Sequence, residues 1–153
     1  SSIYSTSGGS IGLGFAVPVD TARRVVPELL RFGEVRRGWI GVDVQYLVQL
    51  SGRLARYLSL GVEEGILVSA VPAGSAAQKA GLRGGNSRQR VQYGRTIIAT
   101  GGDVIIGADG EPVATLADLY AALENNRPGE TVDLKILRDN RETTLRIVLD
   151  KMP

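Results

Sequence analysis

The stretch "RRGWIGVDVQYL", Arg36 to Leu47, decides how the rest of the chain is read. After Gly38 it runs Trp39, Ile40, Gly41 and Val42, and then places Val44 and Tyr46 in alternation with polar residues. That period of two predicts an extended segment. Working outward, "LSGRLARYLSLG" (50–61) predicts a short helix ended by Gly61, and "GILVSAV" (65–71) a buried strand. "PAGSAAQKAGL" (72–82) reads as a turn and one short helix, with Ser75 as N-cap and Gly81 as the stop. "GDVIIGADGEPV" (102–113) reads as a strand, an Asp-Gly turn and a short strand. "TLADLYAALENN" (115–126) is the clearest amphipathic helix: Thr115 caps it, and Leu116, Leu119, Tyr120 and Leu123 make its apolar stripe. "TVDLKILRDNRETTLRIVL" (131–149) predicts a hairpin turning at Asp139-Asn140. On the other side, residues 1–10 are Ser/Gly-rich and read as a loop. "IGLGFAVPV" (11–19) reads as a strand. "DTARRVVPELLRFG" (20–33) reads as a helix capped by Asp20, kinked at Pro27 and closed by Gly33.

Composition bounds what such a chain does. Its 153 residues are 43% hydrophobic and 22% charged, enough for a core in one domain plus an appendage. The formal net charge of +2 is too small to argue for nucleic acid. No apolar run reaches the roughly 18 residues of a membrane span. Cysteine and histidine are both absent. That removes disulfides, thiolate or imidazole metal ligands, and the usual general base near neutral pH. A Ser-His-Asp triad cannot be assembled from these residues alone. The expectation is therefore no catalytic residue, no metal and no cofactor.

The segment Arg83 to Thr100 stands apart, with Arg83, Arg88, Arg90 and Arg95 and no acidic residue. It reads as a solvated loop or small hairpin. The sharper alternative is a contact with an acidic surface on a neighbouring domain or subunit.

Taken in order from Arg37 to Leu149, "GWIGV", "GILV", "PAGSAAQKAGL", "GDVIIGADGEPV", "LADLYAAL" and "RPGETVDLKILR" resemble a PDZ domain of the HtrA/Deg serine protease family. "IGLGFAVPVDTARRVVPELLRFGEV" before it is similar to the last strand of that family's trypsin-like barrel and the helix leading into its first PDZ domain. The family's nucleophile loop, "GNSGGP", is not present; Ser7-Gly8-Gly9 lacks its flanks. The implied organisation is a remnant of a protease domain with a linker helix over 1–33 and a PDZ domain over 34–153. The implied fold is α+β, mostly β: a partly open barrel or sandwich of five to six strands with two or three helices. The longer form of the 83–100 segment resembles plant and cyanobacterial members.

What the resemblance implies for function is peptide binding. PDZ domains add an extended peptide as a strand beside an existing one and hold its terminal carboxylate against backbone N–H groups of a tight loop. A glycine is needed where that loop turns closely. The loop maps onto Trp39, Ile40, Gly41 and Val42, and the pairing strand continues through Asp43 and Val44 to Tyr46. The facing helix offers Leu116, Leu119, Tyr120 and Leu123, of which two are expected to pack into the core instead. Ile40 and Val42 are expected to form the apolar end pocket. Trp39 is either groove rim or an anchor against the preceding helix. The implied partners are C-terminal or extended peptides of protein substrates and the protease domain of the same chain, with no nucleic acid and no membrane span. The rival implication is a domain that mainly assembles protease subunits. The parent is expected to be a serine endopeptidase, extracytoplasmic and trimeric or larger, and the fragment a monomer or non-native dimer.

Overall fold

A computed structural model of the chain describes residues 36–152 and the backbone of two short strands, β1 (Ser2–Ile3) and β2 (Val17–Pro18). The chain divides into two compact units, 1–36 and 37–153. In the first, β1 and β2 pair antiparallel with Ser2 opposite Pro18 and Ile3 opposite Val17. The rest of the strand expected over 11–19, and the helix expected over 20–33 with its kink, lie outside the described residues.

In the second unit the order is β3 (Gly38–Trp39), a 3-10 turn (Val44–Tyr46), β4 (Leu47–Gln49), α1 (Gly52–Tyr57), β5 (Ile66–Val68) and α2 (Ala76–Ala80). Then come β6 (Arg90–Tyr93), β7 (Thr96–Ala99), β8 (Val104–Ala108), β9 (Glu111–Pro112), α3 (Leu116–Glu124), β10 (Thr131–Arg138), β11 (Arg141–Val148) and β12 (Asp150–Lys151). Five strands form an antiparallel path β11-β10-β8-β5-β4, with β9 paired to β8. The sheet is not closed into a barrel: β4 is an edge. The mostly-β expectation, with five to six strands and three α-helices, holds.

Local chemistry explains most element ends. Ser51, Ser75 and Thr115 each accept a backbone N–H three residues on, capping α1, α2 and α3. At α3 Asp118 completes a capping box, its carboxylate accepting from the amides of Ala114 (2.9 Å) and Thr115 (3.1 Å). Those two amides, Ala114 first, hold the Asp118 carboxyl below the usual aspartate range. Asp109-Gly110 and Asp139-Asn140 both take positive φ at both positions, as two-residue hairpin turns require. Helix α1 is shorter than the sequence pattern predicts. It stops at Tyr57 rather than running to Gly61, because Ser59 adopts φ 57° and the amides of Ser59 and Leu60 turn back to the carbonyls of Arg56 (3.1 Å) and Ala55 (2.9 Å).

Strand alternation builds two apolar layers, one on each face of the sheet. Ile66, Val68, Ile105, Leu134, Ile136 and Ile147 join Ile40, Val42, Leu119 and Leu123 in the larger core. Leu67, Val104 and Leu137 point to the other face and pack with Leu50, Leu54 and Ile98.

The 83–100 segment is a hairpin, β6–β7, with Gly94 and Arg95 at its turn. Its cross-strand pair Val91–Ile98 faces inward, with Ile98 buried, while Arg90, Gln92 and Ile97 face out. The neck of the insertion is pinned. The Asp103 carboxylate accepts the amide of Arg83 (2.8 Å) and two guanidinium bonds from Arg138, at 2.8 and 2.6 Å. Arg138 also donates to the carbonyl of Gly81 at the end of α2 (2.8 Å). The bond to Asp103 raises the guanidinium's pKa further.

Candidate functional site

The groove begins where β3 leaves its pairing with β12. Trp39 pairs with Asp150 of β12, and the carbonyl of Ile40 accepts the amide of Ala77 (2.9 Å). The chain then turns at Gly41 with φ 84°, a left-handed conformation that a side chain would strain. A Cβ there would also lie 2.8 Å from the Cβ of Ser75. Because of that turn, the amides of Ile40, Gly41 and Val42 meet no acceptor among the described residues. Of these three residues only Gly41 lines the neighbouring cleft; Ile40 and Val42 are fully buried.

The segment after the loop differs from the expected strand. Val44–Tyr46 coils into a 3-10 turn, with the amide of Tyr46 donating to the carbonyl of Asp43 (2.9 Å). Regular strand starts only at Leu47. On its inner edge β4 pairs with β5 through Leu47–Val68, Val48–Leu67 and Gln49–Ile66. Its other edge is unpaired, and the side-chain oxygen of Gln49 accepts the amide of Leu116 at the start of α3 (2.9 Å).

Burial separates the predicted site residues into two groups. Leu119 and Leu123 have no exposed surface and are core. Leu116 and Tyr120 are half-buried and pack against the edge of the core; of the two, Tyr120 lines the cleft described below. Ile40 and Val42 also have no exposed surface, so they do not wall an end pocket, contrary to the sequence expectation. Their side chains fill the space between the sheet and α3, the best-packed place for a branched aliphatic. Trp39 is buried by Tyr120, with ring centroids 5.6 Å apart and planes at 9°. It is an anchor to α3 rather than an exposed rim. Asp43 and Val44 are exposed, Val44 by 47%.

What lies beside the loop is a cleft of about 820 Å³. Its apolar lining comes from Trp39, Tyr46, Pro72, Tyr120 and Met152, and its charges from Asp43, Asp150 and Lys151. The Asp150 carboxylate is tied to the amide of Ala76 (3.2 Å). The sequence reading omitted Tyr46 as a lining residue, the turn at Pro72–Ser75 and the tail at Asp150–Met152. None of these carries a local signal: they reach the loop through strand pairing of β12 with β3 and the docking of α2. Among the described residues no group of three or more acidic side chains is placed to hold a metal ion, and no helix is long and apolar enough to cross a membrane.

An edge strand, a facing helix and a loop turned at glycine are the parts of a PDZ fold. Residues 38–149 match the PDZ domain family, and the chain belongs to it. The PDZ domain is of the kind found in HtrA/Deg serine proteases. A probable periplasmic serine endoprotease, DegP-like, of Bartonella henselae is 34% identical over 99% of this chain, which spans 26% of that protein. The periplasmic pH-dependent serine endoprotease DegQ of Escherichia coli is 31% identical over 97% of this chain and is spanned to 28%. The chloroplastic protease Do-like 1 of Arabidopsis thaliana is 35% identical over 99% and is spanned to 31%. The chain thus covers about a quarter to a third of these relatives. Among solved structures, the HtrA-type protease AlgW with a decapeptide superposes with a TM-score of 0.63 at 29% identity, covering 99% of this chain and 40% of that one. The HtrA3 PDZ domain bound to a phage-derived ligand superposes with a TM-score of 0.55 at 19% identity, covering 77% of this chain and 89% of that one, a likeness of fold.

Proposed function

We propose that this chain captures the free C-terminus of a protein substrate by strand addition beside the 43–49 segment, with the carboxylate received by the amides of Ile40, Gly41 and Val42. The observation that supports the reading is the left-handed glycine, Gly41, whose amide meets no acceptor among the described residues and which lines an open cleft beside aromatic rings. Trp39, Tyr46, Tyr120 and Met152 make an apolar resting place for the terminal side chain. The ligand therefore ends in Val, Leu, Ile or Phe. Affinity is roughly micromolar, because a short ligand buries little area and loses chain entropy.

The domain 34–153 is the targeting module, and 1–33 is the end of a protease domain that joins it. Cleavage itself belongs to catalytic residues elsewhere in a longer, extracytoplasmic serine endopeptidase that works as a trimer or larger assembly. The relatives' names and the short span of their length support that reading. The chain by itself is inactive on casein.

The test uses Trp39, the sole tryptophan, as reporter. Titration with peptides ending in Val or Phe changes its fluorescence and saturates, and peptides ending in Asp or Lys bind at least tenfold more weakly. Equal binding by both sets would sink the reading. A second reading, an assembly contact, is favoured by the outward face of β6–β7. There Ile97 is 65% exposed, and the side chains of Arg88, Arg90 and Arg95 have no partner among the described residues. Deleting residues 86–100 leaves assembly of the whole protease unchanged if the hairpin is not such a contact.

A further inference from the structure

The segment from Asp43 to Leu47 carries the sequence of a strand and the shape of a turn. Val44 and Tyr46, β-branched and aromatic, alternate with polar residues, the pattern that suits a pleated edge. The chain coils there instead. The amide of Tyr46 donates to the carbonyl of Asp43 (2.9 Å), and the amide of Leu47 donates to that of Val44. Little holds this coil. It is a single 3-10 turn, the Asp43 side chain makes no cap bond, and none of Val44–Tyr46 is buried. Its side toward β5 is incomplete as well. The carbonyl of Tyr46 accepts the amide of Ser69 (2.8 Å). The Ser69 carbonyl, which a continued ladder would offer to the amide of Tyr46, accepts Gly85 (2.8 Å). A carbonyl has a second lone pair, so that place is open to Tyr46.

In this shape the segment does not match an added strand. A 3-10 turn rises about 2.0 Å per residue against about 3.3 Å in a strand, so three residues fall short by about 4 Å. That is more than one residue of the peptide. The carbonyls of Asp43 and Val44 and the amides of Tyr46 and Leu47 are also spent on one another.

We infer that residues 43–47 are a two-state element, coiled into the 3-10 turn while the groove is empty and extended into the strand when a peptide pairs with it. This inference rests on the peptide-binding reading above and says what that binding does to the protein. Opening breaks two weak turn bonds, and the peptide's main chain and the Ser69 carbonyl replace them. The side chains of Val44 and Tyr46 then sit in the alternation their sequence favours. Affinity for the peptide is the affinity of the extended form, reduced by the fraction of empty molecules that are extended. Asp43, Gln45 and Tyr46 line the cleft, so the same change re-aims one of its walls.

The test follows the Cα and Cβ chemical shifts of Val44, Gln45 and Tyr46 in the isotope-labelled 153-residue chain. An eight-residue peptide ending in Val is added, and Trp39 fluorescence reports occupancy. The three residues show turn values in the free chain and strand values at saturation. If the peptide saturates while they keep turn values, or if they show strand values without it, the switch is refuted and peptide capture stands. If the peptide does not bind, capture is refuted and the switch with it. A second variant biases the element. Asp43 already has φ −64° and ψ 147°, the backbone that precedes a proline, and the amide of Val44 meets no acceptor among the described residues. Val44→Pro therefore keeps the turn and the fold, and it binds the peptide at least fivefold more weakly. Unchanged affinity in Val44→Pro would overturn the switch.

Discussion

The two ends of the main sheet treat their backbones in opposite ways. At one end β10 and β11 pair over eight consecutive residues, from Thr131–Val148 to Arg138–Arg141, across a two-residue turn. At the other, β4 offers three paired residues, then an edge, and before it a loop whose amides at 40–42 have no acceptor among the described residues. Unsatisfied backbone groups are costly when buried and are tolerated where a solvent or a ligand supplies the missing partner. The core is shared by both ends, whereas the backbone bonding is complete only at the zipped one; on the reading proposed above, the peptide completes the other.

Substitutions should break the two ends differently. The largest loss is expected for Leu134→Ala, which opens a cavity at a fully buried position in the middle of β10. It should cost about 3–4 kcal/mol in denaturant unfolding and leave the preference among peptides unchanged. Asp103→Ala removes the buried partner of Arg138 and the acceptor for Arg83's amide. We expect about 3 kcal/mol, near the lower end for a buried pair, since the side chain of Arg138 keeps 23% of its surface in water. If the hairpin β6–β7 serves recognition, that change should weaken peptide binding as well; we expect it not to.

Gly41→Val tests the other end. A side chain at φ 84° costs roughly 1–2 kcal/mol of stability, but the turned amides are lost, and peptide affinity should fall at least tenfold. A variant that binds normally would separate the loop from recognition. Thr115→Ala removes the hydroxyl that caps α3 and should cost about 1 kcal/mol. The same helix start predicts a small pH effect. The Asp118 carboxyl is held below its unfolded range, so the stabilisation from its amide bonds is complete above the unfolded aspartate value and is lost as pH falls through the folded one. Asp118→Asn should flatten that acid limb of a stability-against-pH curve.

The sequence is most legible where a local interaction decides the outcome. Ser75 and Gly81 bound α2, and Thr115 starts α3, by hydrogen bonds within four residues. The two hairpin turns follow from residues that tolerate positive φ. Legibility fails where distant packing decides. Val44 and Tyr46 alternate as a strand would, yet Tyr46's amide closes a 3-10 turn on Asp43. The stripe of α3 does not reveal which residues meet the core, and only the three-dimensional arrangement separates Leu119 and Leu123 from Leu116 and Tyr120. The aliphatic pair Ile40 and Val42 reads as a pocket wall when the loop is considered alone. It becomes core once α3 and β10 close over it. Gln49 carries no signal at all, because its partner lies 67 residues away.

The most direct measurement of the central claim compares one apolar-ended peptide with its C-terminally amidated twin, followed by Trp39 fluorescence. The two ligands share every side chain and differ only in the group offered to the amides of Ile40, Gly41 and Val42. Capture of the carboxylate by that cradle predicts saturable binding of the free acid and a loss of at least tenfold in affinity for the amide. Equal affinities would contradict it and move recognition away from the loop.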